Sequence, residues 1–359
     1  MKFASARAAL PVAAALGIAF AGGLAAHLIG LPAPYIVGGS AAAAAAALLG
    51  VKLALPAPIR DAGFVIVGLS MGASVSRDAL ALIGQWPFTI AALAISLVLI
   101  VALTGAALTK FHGFDLRTAL LASTPGHASF VQGLALSGLG DARQIAVVQS
   151  VRILTLVIVV PLFIALTSPG PLTPIPSGMS MDMLTLAWLA AACALTGFIA
   201  QRIGVPAGYV IGAIIASTVA RLMGWNEGIA AAWLVIPGFV IIAALIGARF
   251  SGVTGDLLRR SLGAGLVATV IAIGISAAAA WAASLFVDIP YAEIWIAIAP
   301  GGLESMAGMG LAMGFEPAFV VTHHTVRLFI LAAAMPLLMA ALRGVRRPES
   351  AAASRRNAP

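Results

Sequence analysis

Long apolar runs dominate the chain, and polar residues gather at their ends. Runs of helix length occupy 8–30, 32–50, 63–76, 86–108 and 145–167 in the first half. The second half has them at 183–203, 205–224, 229–250, 262–286 and 318–342. None shows the period-two alternation of a barrel strand, and in lipid only helices and closed barrels satisfy every backbone group. Each run therefore predicts a helix of the bilayer, ten in all. Before the last run of each half lies a shorter apolar stretch that is interrupted. One is broken at Thr124-Pro125-Gly126-His127 and the other, over 292–314, at Pro300-Gly301-Gly302. Proline and glycine stop a helix, so each stretch predicts two short apolar legs around a non-helical tip.

The pattern occurs twice. Residues 121–166 align without a gap on 296–341. Pro125 falls on Pro300, Gly126 on Gly301, Gly133 on Gly308, Arg152 on Arg327 and Pro161 on Pro336. GGLAAHLIGLPAPYIVGG (22–39) likewise matches TGFIAQRIGVPAGYVIGA (196–213), and GFVIVGLSMGASVS (63–76) matches GFVIIAALIGARFS (238–251). The first run follows Lys2 and Arg7 and has the look of a signal peptide, but its internal counterpart argues that it is a helix of the mature fold. The glycines of 63–76 and the alanines of 41–47 suit close helix packing. The chain thus divides into a first membrane repeat (1–167), a Pro/Ser/Gly-rich linker (168–182), a second repeat (183–343) and a basic tail (344–359).

Composition agrees: 62% of residues are hydrophobic, 9% are charged and mean hydropathy is +1.09, too apolar for a water-soluble domain. The net charge of +8 is spread over loop ends, which reads as an orientation signal and not as a nucleic-acid surface. One cysteine, Cys193, allows no internal disulfide and no thiolate metal cluster. Charge also selects a topology. If both broken stretches are re-entrant, each half crosses five times, the second is inverted, and only Arg77 and Arg221 of the loop cations lie outside. Spanning stretches would make the halves parallel and scatter the cations on both faces. The positive-inside rule favours the inverted form, an all-α polytopic protein of the bacterial inner membrane with both termini cytoplasmic.

Each leg of about ten residues would rise roughly 15 Å, half the hydrocarbon core, so the two tips should nearly meet at mid-bilayer. Half-helix N-termini there, with Arg152 and Arg327 some eight residues into their helices, suit an anionic group. The candidate substrate-binding residues are Pro125, Gly126, His127, Ser129 and Arg152 in one copy. In the other they are Pro300, Gly301, Gly302, Glu304, Ser305, His323, His324 and Arg327. Structural alternatives stand beside each. The breaks can be plain kinks, the arginines can bond backbone carbonyls of the neighbouring break, and Glu304 can pair with Arg327 or hold a proton or cation. The histidines can be hydrogen-bonded packing residues.

A Pro-Gly-x-x-[Ser/Glu] break, an acidic residue about sixteen positions on (Asp141, Glu316) and an Arg-led span closing at proline together resemble the Gram-negative AbrB-type membrane protein family. The resemblance covers about 10–342, and APGGLESMAGMGLAMGFEPAFVVTHHTVRLFILAAAMPLL is nearer the family form; the first copy departs from it at His127. It implies an integral inner-membrane protein with a duplicated domain. Its members are called regulators of gene expression or ammonia monooxygenases. Three functions compete: secondary transport of a small, anionic solute by alternating access, regulation without transport, and an oxygenase subunit. The last needs a metal held by His, carboxylate or Cys, and adjacent His323 and His324 point about 100° apart on a helix. Transport fits most features, with no cofactor and no nucleic-acid partner. The expected partners are the bilayer, a small molecule or ion, and a second copy in a homo-oligomer.

Overall fold

In a computed structural model the backbone is described for residues 2–76, 83–126, 128–167 and 179–343. Side chains are described from residue 9 onward within these, apart from 128–130, 137 and 335–343. Most of the linker and the basic tail lie outside the described residues. The helices are α1 (Lys2–Leu28), α2 (Pro34–Leu48), α3 (Ala57–Ala73), α4 (Trp86–His112), α5 (Leu116–Ser123), α6 (Ala128–Leu134) and α7 (Ala142–Thr167). They continue as α8 (Met183–Arg202), α9 (Gly208–Leu222), α10 (Ala232–Ala248), α11 (Gly255–Ser284), α12 (Tyr291–Ile298), α13 (Leu303–Ala312) and α14 (Pro317–Arg343). The second seven repeat the order of the first. The starts of α5, α6 and α7 fall 175 positions before those of α12, α13 and α14, as the duplicated sequence requires.

The helices differ in length from ten uniform spans. Six described helices are long and apolar enough to cross a membrane, which is compatible with a multi-pass membrane protein. α2, α3, α9 and α10 have only 15 to 17 residues. Their ends are set by backbone breakers. α2 starts at Pro34, behind Ala33 in a left-handed conformation (φ 43°), and Gly50 (φ 95°) follows its end. Ala207 (φ 53°) stands at the same place before α9. These are the two non-glycine residues with positive φ among the described residues.

Small residues hold the short helices together across the two halves. α3 packs on α9 and α10 on α2. A Cβ added at Gly72 of α3 would lie 2.5 Å from Ser217 Cβ and 2.7 Å from Ile214 O; one at Gly247 of α10 would lie 2.3 Å from Ala43 Cβ. The alanine run of α2 is thus a packing face, with Ala43, Ala44 and Ala47 buried. Gly72→Leu is expected to cost about 3 kcal/mol through overpacking. In a melting assay in detergent it should remove the folded monodisperse species, while Gly84→Leu, where nothing lies within 4 Å, should melt as the parent does.

Each broken stretch doubles back on itself. The Asp141 N–H, just before α7, donates to Thr118 Oγ1 in the first turn of α5 (2.9 Å). At the corresponding positions the Glu316 N–H donates to Glu293 Oε1 (3.2 Å). The second closure sits beside the C-terminal end of α3, where the Ser76 N–H donates to Glu316 Oε1 (3.4 Å). The first lies by the end of α4, whose His112 packs on Gly263 near the start of α11.

Candidate functional site

The site begins with helices that stop too soon. α5 is capped by the Asp115 carboxylate, which accepts from the N–H groups of Arg117 and Thr118, and it ends after eight residues. Pro125 holds Thr124 extended (φ −64°, ψ 118°), and Gly126 (φ 88°) reverses the chain, a conformation that glycine adopts freely. The last carbonyls of such a helix have no partner within it and carry the negative end of its dipole. Arg152 supplies the partners. Its Nη1 donates to Ala122 O and Ser123 O (3.2 Å each) and its Nη2 to Thr124 O (3.1 Å). Gln149, one turn earlier on α7, donates to Leu121 O (3.3 Å).

The second half repeats the clamp. α12 also ends after eight residues, and Arg327 donates from Nη1 to Ala299 O (2.8 Å) and from Nη2 to Gly301 O (2.6 Å). His324 stands where Gln149 stands and is fully buried; its ring lies against the backbone of Ile296, the counterpart of Leu121, without a hydrogen bond of standard geometry. Each guanidinium keeps its Nε unpaired, although both arginines are buried. The arginines therefore face the carbonyl ends of the short helices, not their N-termini. A cation belongs there by the sign of the dipole. They also stand deeper than the sequence suggests, ten residues on from Ala142 and Pro317, or roughly 15 Å.

Both breaks open onto one cavity of about 580 Å³. Gly126 reaches it from the first break and Pro300 to Glu304 from the second, with Gln149 and Arg152 between them. The floor is close-set: a Cβ on Gly126 would lie 3.5 Å from Arg327 Nε. α13 begins at Gly302 without a side-chain cap, so its first N–H groups lack a side-chain acceptor. The walls come from residues that sequence reasoning did not single out: Arg60, Asp61 and Phe64 of α3, Leu245 and Arg249 at the end of α10, and the turn from Gly204 to Tyr209. Arg60 and Asp61 form an ion pair at 2.7 Å. The Glu304 carboxylate, half-buried, lies within electrostatic range of both Arg249 and Arg327. The repeated Pro-Ala-x-Tyr of the two turns was the available signal for the wall. Arg60 and Arg249 instead resemble topology-setting charges at helix ends.

Other candidates are placed elsewhere. His323 packs against Trp86 and Phe319. Its Nδ1 faces Phe319 O (2.8 Å) and so carries the proton, and its Nε2 faces the Thr89 hydroxyl (2.7 Å), which is shared with Trp86 O (2.9 Å). That network fills the residue's bonding capacity away from the cavity. Ser305 is buried and donates to Gly302 O (3.0 Å). Pro125 borders the first break; His127 and the Ser129 side chain lie outside the described residues. Among the described residues no three His, Cys, Asp or Glu side chains gather as a metal-ligand set. At the far end of α3, burial pushes the Glu316 carboxyl above its ordinary range, opposed by the hydrogen bond from Ser76.

Comparison with known proteins bears on this arrangement. Residues 35–343 match the model of the AbrB family, described as transition state regulatory protein AbrB. The chain is 22% identical over 357 residues to "Uncharacterized protein YhjN" of Bacillus subtilis (strain 168), covering 89% of this chain and 90% of that one. It is 25% identical over 317 residues to "Putative regulator AbrB" of Escherichia coli (strain K12), covering 86% and 88%. No solved structure matches.

Proposed function

We propose, from the premise that this chain belongs to the AbrB family, that it is a secondary transporter that moves a small anionic solute by alternating access between two inverted repeats. The observation that carries this reading is the single cavity where the breaks of both halves meet beside a buried arginine with a free N–H. Broken helices that meet at a repeat interface are how many transporters build a midplane site. Irregular backbone at such depth is tolerated where it lines a wet cavity.

Charge supports an anion. With Arg60 and Asp61 paired, the cavity retains Arg152, Arg249 and Glu304, one positive charge in excess. A monoanion small enough for about 580 Å³ would meet the first N–H groups of α13 beside the Arg152 guanidinium that borders the cavity. The hairpin closures support inversion: Thr118 to Asp141 lies near the start of α11, and Glu293 to Glu316 lies at the opposite end of α3 from Arg60. In this reading both hairpins are re-entrant, the membrane is the bacterial inner membrane, and the cavity opens to the cytoplasm, where both termini lie. The word regulator in a relative's printed name is consistent with a transported solute that acts as a signal; no residue of this chain carries that reading independently.

Two measurements test the proposal together. Proteoliposomes should accumulate labelled propionate or another small carboxylate above protein-free controls. In a Cys193→Ser background, Asp141→Cys should react with an impermeant thiol reagent from the cytoplasmic side and Glu316→Cys from the other. Labelling of both from one side would eliminate the inverted arrangement; absence of uptake across a panel of small carboxylates would eliminate the anion.

A further inference from the structure

The two halves of the chain have nearly the same helices but occupy different conformations. α13 is buried along its length and packs against α2, α3, α7 and α10. α6, its counterpart, packs mainly on α7 and on the π-helical turn Ala135–Leu139 that follows it, where Leu136 is exposed. The long-helix contacts differ in the same sense: α11 lies along α7, whereas the corresponding contact of α4 with α14 is slight. The cavity is as one-sided as the packing. Gly126 and Gly301 face it from corresponding positions, as do Ile153 and Leu328, and these make a shared floor. Both halves supply the remaining walls, but among the described residues only one member of each further corresponding pair does so.

The counterparts of those walls are closed. Gln149 and Arg152, although only 3% and 1% exposed, border the cavity, whereas His324 and Arg327 do not. Ala207 lines it and is partly exposed, whereas Ala33 is 4% exposed; Phe64 borders it at 7% exposure, and its counterpart Phe239 does not border it. Leu245 lines it, whereas Ser70 is 1% exposed. Two details mark the closed set as more than ordinary core. Ala33 holds the same left-handed backbone as Ala207, a conformation that costs an L-residue energy and persists where the surroundings impose it. His324 is sealed with only the backbone of Ile296 against its ring, so at least one ring nitrogen lacks a partner, and a buried polar group in that state favours a rearrangement that wets it.

We infer that these counterparts form a second binding chamber for the same small anion, closed in this structure and open when the present cavity closes, with Arg327 and His324 in the places of Arg152 and Gln149. This rests on the inverted-repeat reading. The floor at Gly126 and Gly301 serves both chambers, and the Arg327 Nε beside Gly126 is the donor that the second chamber presents. The second chamber is poorer in charge. Arg60, Asp61, Arg249 and Glu304 correspond to Val235, Ile236, Ser74 and Ser129, so Arg327 is its principal fixed charge. Its net charge is the same single positive excess as that of the open cavity, carried by one arginine with no carboxylate among its own walls.

Reciprocal thiol accessibility tests this. In a Cys193→Ser background, Ala207→Cys and Ala33→Cys are labelled with a maleimide in detergent; Ser70→Cys is a second reporter of the closed side. Ala207→Cys should react at least tenfold faster than either of the others. A wedge in the open cavity, Leu245→Trp or, should that variant fail to fold, Val205→Trp, should reverse the order. Ala207→Cys then slows and both closed-side thiols speed up at least tenfold. Slower labelling at Ala207→Cys with no gain at Ala33→Cys or Ser70→Cys would overturn the second chamber. Sodium propionate should protect Ala207→Cys in the unwedged protein. Reciprocity without such protection would retain the second chamber and remove the anion assigned above.

Discussion

Arg152→Ala should unfold the protein or lower its stability by about 3–5 kcal/mol, measured as melting of the detergent-purified protein. Arg152 donates to three carbonyls at the end of α5, and its loss leaves them without those charged donors. Bonds from a charged donor are the stronger kind, and orphaned carbonyls in an apolar setting pay their desolvation in full. Arg327→Ala removes two such bonds at the end of α12 and should cost somewhat less. An Arg152→Ala protein that melts as the parent does would mean that the guanidinium is not what holds the break together.

Lysine at the same positions should separate the clamp from the ligand. An ammonium can still donate to the carbonyls, so Arg152→Lys should fold, but it loses the planar fork and the unused Nε–H of a residue that borders the cavity. Affinity for a small carboxylate, read by thermal shift, should fall about tenfold or more, roughly 1.4 kcal/mol. Arg327→Lys should leave that affinity within about twofold, because Arg327 is sealed from the open cavity, while proteoliposome uptake falls. Equal affinity losses in both variants, or no loss in Arg152→Lys, would remove Arg152 from the binding site and leave the α13 N-terminus, Arg249 and Glu304 as its remaining groups.

Much of the molecule can be read in the sequence because its two strongest signals are local. Apolar runs give helices, since lipid offers the backbone no other partner, and Pro-Gly pairs end them wherever they fall. The ungapped match of 121–166 with 296–341 therefore carries over into matching helices with breaks at matching places. A buried arginine in each copy likewise signals a site, since such a charge in an apolar helix needs partners.

What those partners are depends on which helix end faces each guanidinium, and only the tertiary structure decides that. Sequence reasoning leaves two partners open for the arginines, a ligand held with half-helix N-termini or the carbonyls of the neighbouring break; packing turned the carbonyl ends of α5 and α12 toward them and left one N–H of each free. His323 likewise reads as a site residue until Thr89, 234 positions away, is seen to use its second nitrogen. Arg60, Arg249 and the Gly204–Tyr209 turn show the reverse: ordinary helix-end and loop residues locally, they become cavity walls once α3, α9 and α10 meet. The difference between the halves, one clamp bordering the cavity and the other set back from it, is least legible of all. Nearly equivalent sequences can hold two arrangements whenever the packing energies are close, and which copy opens is a property of the assembled chain and of neither repeat alone.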